Sequence, residues 1–285
     1  MLDVKVQNHP AMKATTLPPL PGRPTGETRP PLRTGDLCHH AMGRLLAVPN
    51  EPLLFADWDR GLMLHYEIDP AILRPLVPFP LDLHEGKAYV TLFAFTLRGM
   101  RPRRGGRLAK WLMRPIATHG FLNVRTYVRV GDETGIYFIT EYMNNLLSLK
   151  LGPLTFGLPY RFARLDYRHD WERGTLAGRA TDLRNRVALA YDATIEPAPR
   201  FAPAAAGTLT EWLMERYTAF TVRRGVRLLF RVWHPPWAEV PVKANVRDDT
   251  LLRKHLPWFA HAKYIGANFA PGVFDVWMGR PHPAD

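Results

Sequence analysis

The chain has very little cysteine. Cys38 is the only one in 285 residues, so no internal disulfide can form, and a reducing compartment is the expectation. It also lacks any uninterrupted apolar run near the roughly 20 residues that span a bilayer as a helix, and any charged-then-apolar leader at its start. A soluble cytoplasmic protein is the expectation. Serine nucleophile elbows, phosphate-binding loops, dinucleotide fingerprints and paired metal-ligand motifs are all missing, which removes the readily recognised enzyme classes. Cys38-His39-His40 offers three ligand types but no fourth at usable spacing, so neither a metal nor a cofactor is expected. Acid is missing locally too. From Arg98 to Arg114 the chain carries Arg101, Arg103, Arg104, Arg107 and Lys110 without one Asp or Glu.

What is present is an ordinary globular composition, 46% hydrophobic and 22% charged, with a net charge of +12. The excess charge raises nucleic acid and anionic membranes as partners. Nucleic acid is disfavoured, because zinc-finger spacing, a basic region with heptads and an aromatic RNA-binding signature are all missing. A basic loop over Arg98–Arg107, leading into a short helix around Leu108–Met113 with Trp111, leaves an anionic surface open beside the simpler reading of a solvated loop. Oligomeric state is not legible.

Residues 1–50 are rich in proline and poor in aromatics, and are expected to be disordered. Residues 51–285 are expected to form a single domain built mainly of antiparallel strands. Strands are expected at Leu62–Glu67, Lys87–Leu97, Asn123–Val130 and Gly135–Tyr142, with further hairpins at Arg161–Arg168/Thr175–Thr181 and Phe220–Arg224/Val226–Trp233, and a closing strand at Gly272–Met278. Asp69-Pro70 caps a short helix, Asn145–Leu151 forms another, and Thr208-Leu-Thr-Glu211 is a capping box opening a helix through Arg216. Many strands, few helices and no alternating βαβ rhythm give an α+β, mainly antiparallel, barrel-like fold.

Two segments carry the functional signal. In Asn123-Val-Arg-Thr-Tyr-Val, Asn123, Arg125 and Tyr127 share one face of a strand. Gly157-Leu-Pro-Tyr160-Arg161 presents a phenol beside a guanidinium. If Val130 pairs with Ile136 across a five-residue loop, Arg125 opposes Glu141 and Tyr127 opposes Ile139. The face is either outside, where an ion pair contributes about 0–1 kcal/mol, or inside, where it fixes an arginine for an anionic or carbonyl-bearing ligand.

Together with Gly135-Ile-Tyr-Phe, Glu215-Arg-Tyr and His234-Pro-Pro-Trp237, these segments resemble the uncharacterised YqjF-like family of the acetoacetate decarboxylase-like superfamily, over roughly residues 50–280. The resemblance implies a β-barrel with a central cavity for a small molecule. Acetoacetate decarboxylases place a Schiff-base lysine in a Pro-Lys-Lys segment, and Pro159-Tyr160-Arg161 stands in the corresponding place here. Neither tyrosine nor a protonated arginine forms an imine. Lys150, ten residues earlier, does not match, and Phe121 stands where the family more often shows a glutamate. Asn123, Arg125, Tyr127, Tyr160 and Arg161 remain as candidate ligand contacts, and Tyr160, Glu141 and His234 as candidate acid–base groups, with His119 beside them. Trp237 reads as a core anchor and Glu215-Arg216-Tyr217 as a lock for its helix. These residues are better suited to binding a small carboxylate or carbonyl compound than to breaking bonds. An enzyme acting on a small keto acid without a Schiff-base lysine is the alternative.

Overall fold

A computed structural model of the chain describes residues 34–284. Helix α1 spans Thr34–Leu46. Strand β1 (Leu54–Ile68) follows, then α2 (Pro70–Leu73), β2 (Ala88–Pro102), α3 (Gly106–Met113), β3 (His119–Val130), β4 (Glu133–Met143), α4 (Leu146–Thr155) and β5 (Tyr160–Phe162). The second half comprises β6 (Arg164–Asp170), β7 (Thr175–Asp182), β8 (Val187–Thr194), α5 (Leu209–Met214), β9 (Thr218–Arg223), β10 (Val226–Trp233), β11 (Val240–Asp248), α6 (Thr250–His255), β12 (Lys263–Met278) and β13 (His282–Pro283). Mainly antiparallel sheet with few helices was the expectation, and that is what forms.

The strands join in the order β13-β10-β9-β4-β3-β2-β1-β12-β11-β8-β7-β6, with β5 beside β4. Only β4–β5 and β4–β9 run parallel. A further pairing of β10 with β12, through Val232↔Met278 and Trp233↔Trp277, links two separated points of that path. The meander β6-β7-β8 extends it beyond β11.

The expected disorder of residues 1–50 is corrected for its last part. Residues 34–46 form α1, which buries Cys38 and Leu45, and the Cys38 thiol donates to the His234 carbonyl at 3.4 Å. Polar-looking as its sequence is, Thr34-Gly-Asp-Leu-Cys-His-His-Ala-Met-Gly-Arg-Leu-Leu places apolar groups on one side, and packing against β10 supplies what propensity does not. The remainder of the proline-rich segment lies outside the described residues.

Caps formed where the sequence placed them. The Asp69 carboxylate accepts from the Ala71 amide at 2.8 Å, Asn145 accepts from Leu147 and Ser148, and the Thr208 hydroxyl accepts from Glu211 at 3.3 Å. Helix α5 ends at Met214, two residues before the expected Arg216. Three strands run longer than the sequence suggested. β2 continues to Pro102, β12 begins at Lys263, and β1 begins at Leu54, through Asp57, Asp59 and Arg60, whose charges obscured its alternation.

β3 is buried on both faces. Its even positions Leu122, Val124 and Val128 enter one core with β1, β2, α2, α6 and the β6–β8 meander. Its odd positions Phe121 and Tyr127 enter a second, more aromatic core with Phe93, Phe95, Phe138, Phe230 and Trp237. Asn123 and Arg125 sit among the latter set, so the polar face of this strand points inward.

The β3–β4 register differs from the expected one. Val130 pairs with Glu133 across a two-residue turn, where Gly131 takes a left-handed φ of 57°. Tyr127 therefore faces Ile136, and Arg125 faces Phe138. A bulge at Ile139 then inserts one extra residue, so Asn123, not Arg125, opposes Glu141. The bulge reverses the parity of the last stretch of β4 and returns Glu141 to the face shared by Arg125. Gly135, at the start of that strand, lies so close to β9 that an added Cβ would stand 2.3 Å from the Thr218 carbonyl oxygen. That close approach is the physical content of the Gly135-Ile-Tyr-Phe motif.

Candidate functional site

The aromatic core is not filled. A cavity of about 90 Å³ remains inside it, with Trp58, Phe93, Phe95 and Phe138 in its walls and Asn123, Arg125, Glu141, Tyr160, Arg216 and His234 as its polar groups. That is room for several heavy atoms, not for one water alone.

Arg125 is 5% exposed and forms no ion pair with any described residue. Its Nη2 points at the Met63 sulfur at 3.5 Å, its guanidinium carbon lies 5.3 Å from the Phe93 ring centre, and its Nε has no hydrogen-bond partner. Burial pulls the guanidinium pKa down, but the group stays charged at neutral pH. The expected Arg125–Glu141 ion pair does not form. Glu141, 4% exposed, also has a partnerless Oε2, and burial raises its carboxyl to about 8. It is thus a neutral acid at pH 7, facing the same space as an uncompensated cation.

Asn123 adds a third partnerless atom, Oδ1. Arg216, expected only as a lock for its helix, adds a fourth, Nη2, at the cavity. Its other atoms hold α5 in place: Nη1 pairs with Asp82 at 2.8 Å, Nε donates to the Trp212 carbonyl at 2.7 Å, and the plane stacks 4.1 Å from Trp212. Asp82 lies 134 residues earlier, so no local pattern announces the pair. Breaking it would leave a buried charge uncompensated, at a cost of about 3–5 kcal/mol.

Tyr160 enters the cavity from β5, which pairs in parallel with β4 so that Tyr160 sits beside Glu141. Gly157 makes the preceding turn with φ 71°, and an added Cβ there would stand 2.8 Å from the Val222 carbonyl oxygen. Burial, and then the neighbouring Glu141, raise the Tyr160 phenol well above its ordinary value. His234 closes the far side. A carbonyl can only accept, so its Nδ1 carries the proton donated to Pro235 at 2.8 Å, and burial lowers its pKa to about 4. It is a neutral imidazole stacked 4.7 Å from Tyr217.

Two expected contacts lie elsewhere. Arg161, next to Tyr160 on a strand, necessarily turns the opposite way; it is exposed and lines no part of the cavity. Tyr127 is fully buried behind Arg125, where its hydroxyl donates to the Leu213 carbonyl at 3.0 Å and meets Thr91 at 2.6 Å. Thr91 in turn accepts from His65 Nδ1 at 2.9 Å. This chain of hydrogen bonds fixes the floor under Arg125 rather than offering a group to a ligand.

His119, buried and lowered by burial to about 4, lines only an outer chamber described below. Trp237 is a core anchor, 1% exposed, with its backbone amide bonded to Glu215 at 2.9 Å; Tyr217 donates to the other oxygen of Glu215 at 2.5 Å. Lys150 is exposed on α4, and among the described residues no lysine lines the cavity.

The family model of DUF2071, described as an uncharacterized conserved protein, matches residues 56–273. The chain belongs to that family. Among DUF2071 relatives, the uncharacterized protein YqjF of Bacillus subtilis (strain 168) is 28% identical over 202 residues, which cover 70% of this chain and 79% of YqjF. Solved structures share the fold at low identity. Acetoacetate decarboxylase from Legionella pneumophila superposes with a TM-score of 0.56 at 12% identity, covering 86% of this chain and 95% of that one. The enduracididine biosynthesis enzyme MppR complexed with pyruvate superposes with 0.55 at 11% identity, covering 84% and 93%. The chain thus has an acetoacetate decarboxylase-like fold whose inner cavity carries two arginines and a carboxyl and, among the described residues, no lysine.

Proposed function

We propose that this protein binds a small carboxylate or carbonyl compound in the inner cavity, with Arg125 receiving the anion. The observation that carries the reading is the buried, unpaired guanidinium. Folding around an isolated charge costs free energy, and a ligand carboxylate would supply the missing counter-charge through charge-assisted hydrogen bonds. Asn123, Tyr160 and the protonated Glu141 then serve the ligand's remaining oxygens, Glu141 as a donor. The strands β10-β9-β4-β3-β2-β1-β12, joined by the β10–β12 pairing, act as a barrel around the site. A fold neighbour complexed with pyruvate supports a ligand of this class.

A second reading, turnover of a keto acid without an imine, is favoured by Glu141. A carboxyl held near pKa 8 beside Tyr160 is suited to giving or taking a proton at neutral pH.

A thermal-shift panel of small carboxylates, keto acids and the matching amides tests the binding. Carboxylates should raise Tm by roughly 5–10 °C at a hundredfold excess over Kd. Equal shifts from the amides, or none from any acid, would remove the anion site. Borohydride added with the same keto acids should leave the protein mass unchanged; a covalent adduct would restore Schiff-base chemistry.

A further inference from the structure

Beyond the inner cavity lies a larger chamber of about 570 Å³, between α4 and the segment that follows α3. Its lining is predominantly apolar, including Met100, Met113, Ile116, Leu151, Leu154 and Phe156; Arg223 is its one lining cation among the described residues, and no described acid lines it. The two spaces share a wall made of Leu97, Phe121, Leu158, Tyr160, Phe230 and Met278. Met278, an unbranched and adaptable side chain, is only partly buried in that wall. Partly exposed apolar residues around a concave space that opens to solvent mark a place where more apolar surface is meant to sit.

We infer that the ligand is an amphiphile: an organic acid whose carboxylate meets Arg125 and whose hydrocarbon chain or ring occupies the outer chamber. The inference rests on the anion reading of the inner cavity and adds the class of the remainder of the molecule. A head group alone would leave the chamber's apolar walls facing water. Burying CH₂ groups against them gives about fourfold tighter binding per group.

Calorimetric titration with straight-chain carboxylates of four to eight carbons, and with the matching primary alcohols, separates the two claims. Affinity for the acids should rise by about fourfold per carbon and level off when the chamber is filled. In Leu154→Glu that dependence should collapse while the four-carbon acid binds as before; Leu154 is 62% exposed, so the variant keeps its fold. Acids that bind equally at every length would overturn the chamber and leave the anion site standing. Alcohols that show the chain-length rise, with acids no tighter than alcohols, would uphold the chamber and overturn the anion site. No binding by either series overturns both.

A separate observation concerns the outside of α3. Only Ala109 and Met113 of that helix turn toward the body. Leu108, Trp111 and Leu112, at spacing i, i+3, i+4, are exposed by 68%, 61% and 62%, and Arg107, Lys110 and Arg114 form the adjoining stripe. The rest of the basic segment is already engaged: Arg98 pairs with Asp59 at 2.7 Å, Arg101 with Asp275, Arg103 with the Glu51 carbonyl and Arg104 with Asn50. Arg107 and Lys110 on α3 and Arg114 just past its end form no ion pair among the described residues. A second copy would bring the same positive stripe against itself. Residues 1–33 hold Lys5, Lys13, Arg23, Arg29 and Arg33 against Asp3 and Glu27, the same sign again.

We propose that this face docks on an anionic lipid bilayer, with Trp111 and the leucines at the interface and the cations on the head groups. The protein should co-sediment with phosphatidylcholine vesicles containing 30% phosphatidylglycerol and not with pure phosphatidylcholine. Each of Arg107→Gln, Lys110→Gln and Arg114→Gln should weaken binding about fivefold. Absence of sedimentation, equal binding to neutral vesicles, or a concentration-dependent dimer dissolved by Trp111→Ser would each overturn it.

Discussion

Arg125→Met is expected to make the protein more stable and unable to hold carboxylates. The native cavity keeps a guanidinium away from water with a thioether and an aromatic ring against it and no ion pair among the described residues. In the empty state this arrangement opposes folding, so an unbranched apolar side chain filling most of the same space should raise the unfolding free energy by about 1–4 kcal/mol. The same change should weaken carboxylate binding by about 2–5 kcal/mol, some thirtyfold to several thousandfold, because a fully desolvated charge contact is lost. Neutral ligands of the same shape should be little affected. Urea unfolding and calorimetry on one preparation measure both effects. A variant destabilised by several kcal/mol would show that the arginine is structural, and a variant with unchanged affinity would take it out of the site.

Gain of stability with loss of binding is the signature of a site that the fold sustains at a cost. It distinguishes Arg125 from Arg216, although both are buried and both reach the cavity. Arg216 is already paired with Asp82 and stacked on Trp212, so its removal should destabilise. The cavity therefore combines one arginine that the protein neutralises with one that it leaves for something else.

The shared polar face of β3 was legible because side-chain parity is a local property: Asn123, Arg125 and Tyr127 must share a face whatever else the chain does. Whether that face met water was not legible, since it depends on which strands cover it. Register depends on the same kind of distant choice. Gly131-Asp-Glu-Thr supports more than one hairpin loop, and a bulge at Ile139 leaves no composition signal. The tighter turn moved the pairing, the bulge moved it partly back, and Glu141 reached the expected face beside a different partner. Gly157-Leu-Pro-Tyr160-Arg161 reads as a turn presenting both side chains together, but β5 begins at Tyr160 and strand alternation turns Arg161 outward. Helix α1 and the first half of β1 were obscured by charged and small residues whose burial is decided by distant elements, β10 for the one and β12 with β2 for the other. The decarboxylase-like fold, by contrast, was carried by short motifs with steric causes. Gly135 lets β9 approach β4, and Gly157 turns the chain so that Tyr160 enters the cavity.

Glu141 should impose a specific pH dependence on stability. Its carboxyl titrates at about 8 in the folded protein and at 4.5 when the unfolded chain exposes it to water, so between those values the unfolded chain releases a proton that the folded protein keeps. The unfolded state then binds fewer protons, and stability falls as pH rises through this window, by up to about 1.4 kcal/mol per unit. Above about 8 both states are ionised and the contribution stops changing. In Glu141→Gln the slope disappears, so the variant should gain on the native protein steadily from pH 5 to 8, by a few kcal/mol at the end, and hold that lead at pH 9. Carboxylate affinity should follow the same group in the opposite sense to a simple cation site. Once Glu141 ionises, its charge faces the ligand's, and binding to the native protein should weaken above pH 8 while binding to Glu141→Gln does not. Unfolding curves collected across that range, with and without a bound acid, supply both comparisons. Parallel stability profiles for the two proteins would mean that Glu141 is ionised in the folded cavity, paired with Arg125 after all, and the space between them would then have no call on an anion.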